Sequence, residues 1–151
     1  MLQNILKNKS KIGWSLFLLL LLVLIRTFEE TLFYDPFLEY YKDEYSQMAF
    51  PKLNIFKLFF SLGMRFYLNT LISLMLLYVI FKDKQIIKFT ALLYVILGSI
   101  LMISFLFILT FFAEESKMTL FYIRRFLIQP IFILLFIPAF YYQKYTNSKT
   151  E

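Results

Sequence analysis

The sequence predicts an all-α membrane protein with four transmembrane helices. Both termini are expected in the cytoplasm, with a short amphipathic interfacial helix in the first outer loop. Two observations carry this. Of the 151 residues, 60% are hydrophobic and 21% aromatic, against roughly 45–50% apolar in soluble domains. The apolar residues also fall in blocks, so a bilayer replaces the buried core that a soluble chain would need. Residues 1–151 read as a single integral membrane domain.

The chain contains no Cys and no His. Disulfides, thiol nucleophiles, imidazole bases and His/Cys zinc sites are therefore absent from its repertoire. No cofactor is expected. The formal charge of +6 reads as topology signalling by lysine, and no nucleic-acid partner is expected.

The first helix is expected over about 12–31. Lys7, Lys9 and Lys11 precede the apolar run Ile12–Ile25, and Arg26-Thr-Phe-Glu-Glu30 offers no small-residue cleavage site. The start therefore reads as an uncleaved signal anchor. A span of roughly 20 residues continues it past Arg26 to about Thr31. Asp35-Pro36 then reads as a cap followed by proline at the first helical position. Phe37, Leu38, Tyr41, Tyr45 and Met48 share one face beyond it, opposite Glu39, Lys42, Asp43, Ser46 and Gln47. This predicts the interfacial helix, about 36–48, with its aromatics at headgroup level.

The second helix is expected over 58–81, interrupted by Arg65 and Asn69, and the third over 89–113 without a charge. The fourth, 121–142, contains Arg124, Arg125, Gln129, Pro130 and Pro138. Proline is tolerated where neighbouring helices satisfy the freed carbonyls, so Pro130 predicts a kink packed against protein. The short Lys82-Asp83-Lys84 turn makes helices two and three an antiparallel hairpin. With the N-terminus inside, lysines divide eight inside to four outside and acids two to eight. Both distributions favour cytoplasmic termini.

The four arginines behave differently from the lysines. Counting about 1.5 Å per residue puts Arg26 roughly 7 Å and Arg65 roughly 5 Å inside the outer boundary, with Asn69 about one turn deeper. Arg124 and Arg125 begin helix four at the same boundary. Ser61, Arg65, Asn69 and Ser73 are spaced four apart, as are Arg125 and Gln129. Polar side chains at such depth turn toward other helices or cavities rather than lipid. Glu29, Glu30, Glu114 and Glu115 lie at the same level and can neutralise arginine. The candidate site is therefore an outer-leaflet polar cluster of Arg26, Glu29, Glu30, Arg65, Asn69, Glu114, Glu115, Arg124, Arg125 and Gln129. A purely structural role stays open, because arginine snorkels to headgroups and Arg–Glu pairs fix register between helices.

Several segments together resemble a known family: Arg26-Thr-Phe-Glu29, Leu32-Phe-Tyr-Asp-Pro-Phe37, Arg65-Phe-Tyr-Leu-Asn69, Phe121-Tyr-Ile-Arg-Arg-Phe-Leu-Ile-Gln-Pro130 and Pro138-Ala-Phe-Tyr-Tyr-Gln143. The chain resembles the exosortase F system-associated proteins, small membrane proteins of Bacteroidetes. The resemblance covers most of the chain, its length and its four-helix layout. It implies an accessory role beside an exosortase, a membrane transpeptidase that processes C-terminal sorting signals outside the inner membrane. Exosortases resemble Cys–Arg–His enzymes, and this chain lacks two of those three residue types. No catalytic residue is carried over.

The expected function is a non-catalytic accessory whose cluster docks a partner, a substrate or a lipid headgroup. The expected partners are the bilayer and an exosortase-type enzyme; self-association is compatible with both. A small oligomeric carrier or lipid translocase is the alternative. It is disfavoured because no acid occurs within Ile12–Ile25, Phe66–Phe81, Phe89–Ala113 or Phe126–Tyr142 to couple protons. Asp35, Glu39 and Asp43, also spaced four apart, could hold a hard cation, but a solvated acidic face explains them more simply.

Overall fold

The structure is a computed structural model that describes residues 8–42, 49–129 and 131–150. Most of these residues are helical, with no strand among them. In chain order the helices are α1 (Lys9–Thr27), α2 (Glu29–Leu32), α3 (Phe37–Tyr40), α4 (Ile55–Phe81), α5 (Lys84–Phe111), α6 (Lys117–Ile128) and α7 (Ile131–Thr150). Among the described residues, α1, α4 and α5 are each long and apolar enough to cross a membrane. Helices α6 and α7 meet that test only together, as one broken span bent by 59°.

Helix α1 starts at Lys9 and stops at Thr27, three residues before the expected Ile12 start and four before the expected Thr31 end. The lysines extend it at the near end. At the far end Phe28 leaves the helical region (φ −97°, ψ 18°), and its N–H closes the helix on the Leu24 carbonyl at 3.0 Å. Glu29 and Glu30 therefore belong to a separate turn, α2.

Helix α4 is longer than expected because Asn54 caps it, its Oδ1 accepting the Lys57 N–H at 3.2 Å. It ends where Lys82 enters the left-handed region (φ 52°). Asp83 then caps α5 by accepting the Gln85 N–H at 2.8 Å. Two residues thus reverse the chain, and α5 folds back along α4. The two pack tightly at Gly98, where a Cβ would stand 2.4 Å from the Phe66 ring.

The fourth span is not one helix. It stops at Ile128, with Gln129 extended (φ −103°, ψ 138°), and resumes at Ile131. A residue preceding proline is driven out of the α region by the proline ring, which accounts for Gln129. Pro130 itself lies outside the described residues. Pro138 sits within α7 without ending it.

The amphipathic helix expected over 36–48 is a single turn, α3, and 43–48 lie outside the described residues. Its aromatics do not lie on a surface. Phe37 is fully buried, with Tyr41, Phe50 and Phe105 around its ring at 5.5–6.2 Å. Tyr40 is buried in the same cluster, with Leu58, Leu62, Leu109, Leu120 and Leu127. Phe37 needs this interior more than it needs a headgroup layer, since burying such a side chain contributes about 1.5–3 kcal/mol. A second core joins Leu18, Leu76, Leu77, Phe81, Ile133 and Phe140 near the α4–α5 turn. There Lys144 Nζ donates to the Phe81 carbonyl at 3.3 Å, placing a cation at the C-terminus of α4.

Candidate polar site

The two acids that organise the site come from the irregular stretch between α1 and α4. The break at Phe28 lets Glu29 turn back, so its Oε2 accepts from Arg26 Nη1 at 2.6 Å and also from Arg65 Nη2. Phe33, in extended conformation, sits 5.5 Å from the Arg65 guanidinium carbon. Two residues later Asp35 Oδ1 accepts the Phe37 N–H at 3.2 Å, the local turn that starts α3. The same carboxylate takes Arg124 from α6, with Nε 3.0 Å and Nη2 2.5 Å from Oδ2. Arg65 Nη1 lies 3.8 Å from that oxygen.

The result is a chain of charges, Arg26–Glu29–Arg65–Asp35–Arg124, running from α1 through α2 and α4 to α6. Side-chain exposure is 1% for Arg65, 1% for Asp35 and 5% for Arg124, but 50% for Arg26. Such depth makes the pairs interdependent: removing one member of a buried ion pair typically costs about 3–5 kcal/mol because its partner stays charged and buried. Among the described residues, Arg65 Nε and Nη1 have no hydrogen-bond partner. Arg124 is also covered by Tyr41, whose ring lies 6.0 Å away and whose hydroxyl donates to the Lys117 carbonyl at 3.0 Å.

One turn along α4, Asn69 Nδ2 donates to the Ile128 carbonyl at 2.9 Å. That carbonyl is among the last of α6 and has no successor turn to accept from. The stripe Ser61, Arg65, Asn69, Ser73 is buried along its whole length.

The remaining expected residues stand apart from this network. Glu30 is exposed and pairs with Lys42 Nζ at 2.5 Å, which holds its carboxyl below the ordinary carboxylate range. Arg125 is exposed, its Nε donating to Gln129 Oε1 at 3.2 Å. Glu114 and Glu115 are exposed in the α5–α6 connection, and neither forms an ion pair with a described residue. Asp35 is the residue that reading the sequence left out of the cluster. Its signal was present, an acid enclosed by Phe33, Tyr34 and Phe37, but a capping role accounted for it locally.

Searches against protein-family models, curated proteins and solved structures return no match to this chain.

Beside the ion-pair chain lies a cleft of about 580 Å³ between α1, α4 and the α6–α7 break. Leu19, Leu22, Val23, Ile133 and Leu134 form much of its wall, and its polar groups are those of Arg26, Asn69 and Gln129. Asp35 and Glu39, two thirds of the possible cation triplet, do not converge: Asp35 is buried against Arg124 while Glu39 is exposed. Asp43 lies outside the described residues. Among the described residues no group of three metal-ligating side chains occurs.

Proposed function

We propose that this chain is a multi-pass protein of a bacterial inner membrane with both termini cytoplasmic. In this reading it is a non-catalytic accessory of an exosortase-type C-terminal processing system, and it docks its partner on the outer side through the arginine end. The observation that carries the reading is the division of the arginines: Arg65 and Arg124 are buried on Glu29 and Asp35, whereas Arg26 and Arg125 are exposed. The inner pairs hold the helices together, and the two exposed guanidinium groups present donors that an acidic segment or headgroup can engage. The resemblance noted above supplies the class of partner.

The test is co-purification of the tagged chain from native membranes, scored for an exosortase-type enzyme and for processing of its substrates. Arg125→Glu reverses an exposed charge without touching the buried chain. It should lower both recovery and processing by about tenfold while leaving expression unchanged. Wild-type processing in that variant, or consistent failure to recover the enzyme, would sink the reading. The cleft favours a second reading, a small oligomeric carrier or lipid translocase, which predicts lipid movement in proteoliposomes containing only this protein.

A further inference from the structure

We propose that the cleft between α1, α4 and the α6–α7 break holds one anionic phospholipid, an acyl chain along its apolar wall and the phosphate at Arg26 and Gln129. This deepens the docking role assigned to the arginine end and rests on it in placing these helices in a bilayer.

The division of the cleft carries the inference. Its volume of about 580 Å³ falls within the usual range for small-molecule sites, roughly 300–1,000 Å³. The wall residues Val23 and Leu134 are 62% and 70% exposed. The cleft is thus continuous with the apolar exterior of α1, where Leu16 and Leu20 are also exposed. In a bilayer that exterior faces hydrocarbon, so lipid reaches the cleft from the side at the highest concentration of any solute.

The polar end then selects the headgroup. Arg26 commits Nη1 to Glu29, leaving the rest of a half-exposed guanidinium to donate. Gln129 accepts from Arg125 through Oε1, so its amide N–H groups remain as donors. Asn69 differs, because its amide nitrogen is engaged by the Ile128 carbonyl. Beyond Glu29, Arg65 shares that carboxylate with Arg26, and Arg124 and Arg125 of α6 add positive charge around it. Guanidinium and amide donors with one carboxylate among several arginines, weakly screened by low dielectric, match a phosphate diester. A zwitterionic lipid brings its own cation into the same field and is discriminated against.

The test uses purified full-length protein in a neutral detergent, with lipid retention followed by native mass spectrometry. Dioleoylphosphatidylglycerol should be retained at one molecule per chain, about tenfold more tightly than dioleoylphosphatidylcholine. Arg26→Gln should remove about that factor, and Arg26→Lys should keep most of it. Both leave Glu29 paired with Arg65, so the fold persists and thermal unfolding checks it. Val23→Trp should fill the cleft and reduce retention of both lipids. Equal retention of the two lipids, or unchanged retention in Arg26→Gln, overturns the proposal. Stoichiometric displacement of phosphatidylglycerol by an apolar helical peptide with an acidic end also overturns it, assigning the cleft to a protein segment. None of these results depends on the processing enzyme, so failure here is separable from failure of the accessory role.

Discussion

Asp35 does two jobs with one carboxylate. It starts α3 by accepting the Phe37 N–H, and it receives the side of the Arg124 guanidinium in a nearly solvent-free position. Arg124→Leu leaves that carboxylate with the Phe37 N–H and the longer contact to Arg65, and should lower unfolding free energy by about 3–5 kcal/mol. The double variant Asp35→Leu, Arg124→Leu should recover most of the loss, since an apolar pair of similar volume needs no charge balance. Reversible unfolding in mixed detergent micelles, run as a double-mutant cycle, measures the coupling. Additive losses would show that the pair is not coupled. At this scale the arginines were legible because a charge in an apolar run has few explanations. Asp35 was not, because its local role was sufficient and its tertiary partner lies 89 residues away.

Among the elements, the broken fourth span is the one whose shape depends on a neighbour. Its break follows from the residue order Gln129-Pro130, and the Ile128 carbonyl left over is taken by Asn69. Asn69→Leu would leave that carbonyl buried without a donor, a loss of about 1–3 kcal/mol. Spin labels at Tyr122→Cys and Leu135→Cys, both exposed positions, would report the α6–α7 angle. Asn69→Leu should broaden or shift their distance distribution; an unchanged distribution with wild-type stability would contradict this account. The spans were readable because apolar runs and caps are local properties. Their ends were not. Phe28 breaks α1 with no proline or glycine to announce it, and α3 is fixed by the cavity that Phe37 fills rather than by its own periodicity.

For the whole molecule, orientation is the property on which the proposed role depends. The absence of cysteine makes it directly measurable. A single Glu115→Cys should react with an impermeant maleimide on intact spheroplasts, and a single Gln85→Cys only after permeabilisation. The opposite pattern would invert the topology and move the arginine end to the cytoplasm. Lysine counting is what this expected orientation rests on, whereas the connection of α1, α2, α4 and α6 through one chain of charges required the folded structure.

That chain of charges also has an order in time. Synthesis runs from the N-terminus, so Glu29 meets Arg65 once α4 has been made, a separation of 36 residues. Asp35 must wait for Arg124, and every residue of the α4–α5 hairpin is laid down in between. Until α6 emerges, Asp35 has the Phe37 N–H and the longer contact to Arg65 but lacks its close partner Arg124. Closure of the Asp35–Arg124 pair is therefore the last link of the network to form, and a chain truncated before α6 keeps that seam open.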